Sequence, residues 1–217
     1  MWPLPLVLTV FFSWSLTFMI VWLQPGLVAA AETADVDVGL YALGAFPSDQ
    51  GLFAQGGSPS HTRIANGAGA GIKAVVFPHS LGNFIGIGLE SSGHGSEMTF
   101  SSPVNAGSAV STNLWVFSSM VNLTLRYPGK VLVPYIGVGG GYSSGVLSHA
   151  DIPGRSDEDF EGSWAFGHQF FGGVQGNLTE KVFLFSEYKH FSANYHWKQL
   201  ALDFRSQSVS FGIGLRF

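Results

Sequence analysis

Apolar and polar residues alternate along most of the chain between residue 34 and the C-terminus. Successive side chains of a β-strand point to opposite faces, so this alternation predicts strands with one apolar face and one polar or small face. The pattern is clearest at the end of the chain, where the apolar face holds Val209, Phe211, Ile213, Leu215 and Phe217. Eight stretches of this kind, each bounded by turn residues, predict strands at 34–46, 66–78, 83–97, 109–127, 131–147, 163–178, 181–196 and 203–217.

The connections between the predicted strands alternate between short and long. Three are short, at 78–82, 127–130 and 178–180. The others are mostly longer and rich in Gly, Ser, Pro and acidic residues, at 47–65, 98–108, 148–162 and 197–202. Barrels of bacterial outer membranes have short periplasmic turns and long extracellular loops. The alternation therefore predicts an up-and-down sheet, and an even number of strands places both termini on the periplasmic side.

Composition indicates that the apolar faces meet lipid rather than a protein core. The 217-residue chain is 46% hydrophobic but only 11% charged, whereas soluble domains carry about 25% charged residues. Beyond residue 31, no apolar run reaches the roughly 20 residues that a transmembrane helix needs. Hydrocarbon offers no partner to an open sheet edge, so the sheet must close. The sequence predicts an all-β fold, an eight-stranded antiparallel up-and-down transmembrane β-barrel over residues 32–217.

Residues 1–31 are predicted to be an N-terminal signal peptide helix that precedes the barrel. The stretch from Leu4 to Leu23 is almost wholly apolar, and small residues follow it up to a cleavage site near Ala31. The segment departs from the usual pattern because it carries no Lys or Arg. Retention as an uncleaved anchor, or a misassigned start, are the alternatives to cleavage.

Several kinds of chemistry are excluded by what the chain lacks. It contains no cysteine, which removes disulfides, zinc-thiolate sites and thiol catalysis together. Its formal net charge of −4 provides no basic surface for nucleic acid. We therefore expect no metal, no cofactor and no nucleic-acid partner.

Three segments of the chain resemble one known superfamily. They are PYIGVGGGY at 134–142, LTEKVFLFSEYK at 178–189 and VSFGIGLRF at 209–217. Together they resemble the eight-stranded outer-membrane β-barrels of the OmpA-like and opacity-protein-like type. The resemblance implies the outer membrane of a Gram-negative-type bacterium and insertion by the barrel-assembly machinery, with an assembly signal at Phe211, Ile213, Leu215 and Phe217. It does not separate adhesins, membrane tethers, poor channels and lipid-modifying enzymes, because one fold hosts many functions.

Charged residues on the polar faces of the predicted strands must point into the barrel. The interior of an eight-stranded barrel is just filled by side chains. Unpaired charges there would be costly, so we expect cations and carboxylates to compensate one another. The sequence predicts a lumen charge network of Glu90, Arg126, Glu187, Lys189 and Arg216. Its role is structural in this interpretation, with a narrow channel as an alternative.

One motif on the seventh predicted strand suggests catalysis. His190, Ser192 and Asn194 follow at two-residue intervals, so they share a face, and parity with Tyr188 makes that face the lipid-exposed one. This order is similar to the motif of outer-membrane lipid A deacylases, whose His and Ser lie on the outer wall of the barrel.

The match to the deacylase motif is incomplete. In the deacylases the Asn directly follows the Ser, whereas Ala193 intervenes here. An acid must also orient the His, and Asp203 on the next strand is the candidate. The competing interpretation is an interfacial strand that contributes to an aromatic girdle.

The sequence thus favours a structural or surface-interaction role over catalysis. The expected partners are outer-membrane lipid and lipopolysaccharide. The loops at 47–65 and 148–162 are the candidate contact sites for an extracellular partner.

Overall fold

The computed structural model describes residues 33–48, 50–54, 60–101, 109–127, 129–148, 160–197 and 200–217. The predicted signal peptide, residues 1–31, lies outside this part of the chain. Within the described ranges, no helix has the length and hydropathy to cross a membrane.

Antiparallel strands and one short 3₁₀ helix, His79–Leu81, form the described structure. The strands are β1 Ala34–Pro47, β2 Gln50–Ala54, β3 Ser60–Ile64, β4 Gly67–Pro78, β5 Ile85–Ser101, β6 Ala109–Arg126, β7 Leu132–Ser148, β8 Phe160–Asn177, β9 Val182–His196 and β10 Leu200–Arg216. β1 pairs with β10, which closes the sheet into a barrel. The predicted all-β, antiparallel, closed architecture is confirmed.

The barrel wall has eight strands, because β2 and β3 continue β1 and β4. The β1–β4 and β2–β3 pairs share one register, in which Ala45↔Gly67 is followed by Gln50↔Thr62. β2 also pairs with β10 and β3 with β5, so the wall is extended on this side. The sequence predicted one loop over 47–65, and the structure corrects this for residues 50–54 and 60–64. Gly, Ser and Pro residues interrupt the alternation there and hide the strands.

The register determines the tilt of the strands. A row of paired residues that begins at Asp37 passes once around the barrel and returns to β1 at Pro47, ten residues farther along. For eight strands, this shift corresponds to a tilt of about 43° from the barrel axis. Each residue of a strand then rises by about 2.4 Å along the axis. Side chains on different strands can therefore be compared by height.

The two ends of the barrel differ. The turn end carries the short connections at 79–84, 127–131 and 178–181, together with residues 33 and 217. In the first turn Gly82 and Asn83 have φ angles of 63° and 61°. Glycine and asparagine tolerate this left-handed conformation best. The strand ends that precede the longer connections lie at the other end, here called the loop end.

Outward side chains form an apolar belt next to the turn end. Exposed members include Leu40, Ile87, Leu89, Val121, Leu123, Leu125, Ile136, Val138, Leu184, Phe211, Ile213 and Leu215. A soluble protein would bury these side chains, so their exposure on one continuous wall indicates a surface that contacts lipid.

Above the belt, the apolar and polar residues exchange faces, so that polar side chains point outward and apolar side chains point inward. On β9, Tyr188 points outward and is half exposed, while Lys189 is buried inside. Farther toward the loop end, Asn194 is the exposed residue and Tyr195 is completely buried. The inversion marks the level at which the wall leaves the apolar environment.

The loop half of the lumen is filled by an apolar cluster, here called the plug. Its buried members are Ile64, Met98, Leu114, Val116, Met120, Leu147, Phe191, Ala193, Tyr195, Trp197, Leu202 and Phe204. The sequence predicted polar side chains for the lumen, and the plug corrects that prediction for this half. The inverted alternation turns apolar side chains inward above the belt.

Candidate functional site

Glu90 on β5 lies at the centre of a polar cluster below the plug, and four other strands supply its hydrogen-bond donors. Its carboxylate accepts hydrogen bonds from Tyr41 on β1 and Lys189 on β9. Nδ2 of Asn122 donates at 2.8 Å and Nε2 of Gln169 at 2.9 Å. Glu90 is 5% exposed, so these donors replace the water that a carboxylate would otherwise bind.

A second carboxylate neutralises the remaining cations of this central cluster. Glu187 lies 2.9 Å from Nζ of Lys73 and 3.4 Å from Nζ of Lys189. Lys73 also donates to the hydroxyl of Tyr135 at 3.2 Å and lies 3.9 Å from the ring centroid of Phe185. Two lysines therefore face two glutamates, and the formal charges of the central cluster balance.

A separate cluster of charges occupies the lumen at the turn end. Nε of Arg216 lies 2.7 Å from Asp37, and Nη1 of Arg126 lies 3.1 Å from the same carboxylate. Nη2 of Arg126 donates to Asp35 at 2.6 Å, and its guanidinium stacks 3.7 Å from the ring centroid of Phe77. Here again two cations face two carboxylates.

The structure divides the predicted network of five charges between these two clusters. It brings Glu90, Glu187 and Lys189 together but places Arg126 and Arg216 in the turn-end cluster. Sequence reasoning missed seven of the partners, which are Asp35, Asp37, Tyr41, Lys73, Asn122, Tyr135 and Gln169. The alternation of side chains places most of them at inward-facing positions of β1, β4 and β7, and this signal could have identified them from the sequence.

A small cavity lies between the two clusters. Its volume is about 40 Å³, and its lining includes Asp37, Lys73, Arg126, Phe183 and Phe185. A water molecule needs a cavity of at least about 10–15 Å³, so this space suits a few waters and no larger ligand. The plug lies above the central cluster, between it and the loop end.

The outer wall carries the motif that suggested catalysis. His190 and Asn194 point outward as predicted, and Ser192 lies on the same face but is only 9% exposed. Asp203 does not reach His190. The cross-strand partner of His190 is Gln207, four residues from Asp203, which corresponds to about 13 Å along the strand.

The carboxylate of Asp203 has a different partner. It accepts a hydrogen bond from Nη2 of Arg205 at 2.9 Å. The geometry therefore does not supply the acid that the deacylase interpretation needs. Within the described residues, no group of three or more His, Cys, Asp or Glu is placed to hold a metal ion.

The predicted assembly signal lies on the outer wall of β10. Phe211, Ile213, Leu215 and Phe217 are all exposed on the apolar belt. Phe217 pairs with Val36 across the closing seam through two backbone hydrogen bonds of 3.0 Å. Their role in assembly stays a prediction.

A closed wall of eight strands, an apolar outer belt and a lumen filled by side chains define the class of integral β-barrel membrane proteins. Residues 21–217 match the family described as "Outer membrane protein beta-barrel domain", and the chain belongs to this family. The resemblance seen in the sequence is thereby confirmed. No curated protein matches the chain.

Two solved structures illustrate the likeness. Neisserial surface protein A is 17% identical, with a TM-score of 0.54 and coverage of 84% of this chain and 97% of that chain. The outer membrane protein OprG from Pseudomonas aeruginosa is 13% identical, with a TM-score of 0.59 and coverage of 85% and 96%. At these identities the likeness concerns the fold alone.

Proposed function

We propose that this outer-membrane barrel is a closed scaffold with a structural or surface-interaction role rather than a channel. The observation that carries the proposal is the filling of the lumen in successive layers. The turn-end cluster, the central cluster and the plug follow one another along the axis, and the cavity among them holds only about 40 Å³. An ion would have to displace paired charges and then cross apolar side chains.

The orientation belongs to the same proposal. The loop end faces the outside of the cell and both termini face the periplasm, as is usual for barrels with short turns beside their termini. The apolar face of β10, with Phe211 and Phe217, is the surface offered to the assembly machinery. Lipopolysaccharide and other outer-membrane lipids surround the belt.

Surface interaction would use the connections at the loop end. The extension of the β1–β4 pair by β2 and β3 in the same register supports this, because it provides a hydrogen-bonded base beneath the connection within 47–65. The connection within 148–162 is the second candidate. An extracellular protein or glycan surface is the partner in this proposal.

Planar bilayer recordings on the refolded protein test the closed lumen. We expect no stepwise ion conductance at neutral pH, and stable ohmic steps would contradict the proposal. Electrophoresis before and after boiling provides the folding control, because a closed barrel resists detergent and migrates faster unboiled. Removal of residues 151–158 should abolish binding to a partner surface without changing that mobility, if this loop makes the contact.

A further inference from the structure

A patch of polar side chains interrupts the outer face of β8, β9 and β10. One row of direct cross-strand partners holds His168, Ser192 and Arg205. The next outward-facing row toward the turn end places His190 beside Gln207. All five residues lie on the outward-facing side of their strands, and we call them the outer polar patch.

The patch lies at a level where the outward side chains of β1, β4, β5 and β6 carry no charge. From the strand tilt, its members lie about 16 to about 23 Å above Asp37 along the axis. This is the upper edge of a belt about 25 Å tall that begins at Phe217. At the same level the outward residues of β1, β4, β5 and β6 include Gly44, Ala68, Gly93 and Phe117, together with the uncharged polar Ser119 on β6. A polar edge that merely met water would carry ionisable side chains all around the barrel, whereas here Arg205, His168 and His190 are confined to one side.

Arg205 is held on the wall in a position that leaves it accessible. Its Nη2 donates to Asp203 at 2.9 Å, and its side chain remains 54% exposed. Asp203 is the carboxylate that adjoins the patch, and its charge is offset by this ion pair. A guanidinium presents several donors in one plane and matches the oxygens of a phosphate.

The other patch residues add donors of the kind that sugar hydroxyls and phosphates accept. The imidazole of His168 is exposed and meets the ring of Phe170 edge-on, with centroids 6.2 Å apart. His190 and Gln207 contribute an imidazole and an amide beside it, while Ser192 is largely covered. Below the patch, Phe170 and Val209 begin the apolar belt on which acyl chains would lie.

We propose that the outer polar patch binds the phosphorylated sugar headgroup of a glycolipid of the outer leaflet. The height of the patch, its confinement to three strands and its excess of donors carry the proposal. It rests on the proposed orientation, in which the loop end lies at the outer leaflet, but not on the closed lumen. A conducting barrel would leave it intact.

The test uses the full barrel in phosphatidylcholine nanodiscs that contain a small fraction of diphosphorylated lipid A. Native mass spectrometry of the ejected protein measures how much lipid A it retains. The variants are Arg205→Gln, His168→Phe and the two combined. Arg63→Gln is the matched control, because Arg63 is exposed on β3 and its loss removes the same charge outside the patch. Unboiled gel mobility shows which variants fold.

We expect retention to fall about tenfold in the combined variant, since a charge-assisted hydrogen bond contributes on this scale. The Arg63→Gln control should retain lipid A like the unsubstituted protein. Lipid A stripped of its phosphates should be retained weakly, and inorganic phosphate should not compete. Equal retention by the folded combined variant, equal retention of dephosphorylated lipid A, or full competition by inorganic phosphate would each overturn the proposal.

Discussion

Tyr41 on β1 donates a hydrogen bond to Glu90 on β5, across the inner face of the intervening strand β4. The crossing is possible because β4 presents Gly71 at this point. A Cβ at residue 71 would collide with the ring and hydroxyl of Tyr41. The missing side chain on β4 thus lets β1 and β5 share one carboxylate in the centre of the lumen.

Replacement of Gly71 by Val should break this contact. The added side chain displaces the Tyr41 ring and leaves Glu90 with one donor fewer, so we expect a loss of about 1–3 kcal/mol in the free energy of unfolding. Urea titration of the barrel in lipid vesicles, followed by unboiled gel mobility, measures it. Ala70→Val, one residue away on the lipid-facing side, is the control and should be neutral. Equal effects at both positions would contradict the steric account.

The pair of Lys189 and Glu90 should show strong energetic coupling. Lys189→Met leaves two carboxylates facing Lys73 alone, and Glu90→Gln leaves Lys189 with only Glu187. Removal of one partner from a buried pair costs about 3–5 kcal/mol.

A double-mutant cycle measures the coupling of this pair. We expect the combined variant to be more stable than the sum of the two single losses predicts, because neither charge is then left unpaired. Glu180→Gln in the exposed turn serves as the control for charge removal. Additive losses would show that the two side chains do not act as a pair.

Asp37 should stabilise the turn end of the β1–β10 pairing that closes the barrel, here called the closing seam. It is the cross-strand partner of Arg216 on β10 and also contacts Arg126 on β6. Asp37→Asn leaves two arginines facing Asp35, so we expect faster amide hydrogen exchange in 34–39 and 212–216. Asp203→Asn is the control, because that ion pair is exposed and such pairs contribute only about 0–1 kcal/mol. Unchanged exchange at the seam would exclude the proposed role of Asp37.

Much of the fold is predictable because strand parity is an all-or-none property. A shift of one residue would turn every side chain to the other face, so the apolar series through Phe211 and Ile213 defines the outer wall of β10. The side of the wall on which His190 and Glu187 lie follows from the same rule. The alternation of side chains along one strand does not predict which residue of another strand a lumen residue contacts. Asp37 and Arg126 are 89 residues apart, and only the register of the whole barrel brings them together.

The plug was missed for a different physical reason. A single rule along each strand, with apolar residues outside and polar residues inside, predicts a polar lumen throughout. Above the belt the surroundings change from lipid to water, and the rule reverses, as Tyr188 and Tyr195 show on β9. The position where the alternation changes phase is thus itself a signal for the membrane boundary, and it can be read from sequence.

Two obstacles in series should control conductance, the plug and the aromatic lining of the cavity below it. Phe204 is completely buried in the plug, and Phe185 lines the cavity beside Lys73. Phe204→Ala alone opens the plug onto a lumen that remains filled, and Phe185→Ala alone widens a cavity that remains covered. We therefore expect ion conductance in planar bilayers only when both are replaced.

The folded fraction decides whether this experiment is informative. Each replacement of a buried Phe by Ala costs about 3–5 kcal/mol, so only the material that keeps the fast unboiled mobility is reconstituted. Phe211→Ala on the lipid-facing wall removes an equal side chain without changing the lumen, and this variant should show no ion conductance. Conductance in the Phe204→Ala variant alone would mean that the layer around Glu90 and Lys73 passes ions unaided. The plug would then be the only barrier, and the paired charges below it would line a pathway rather than block one.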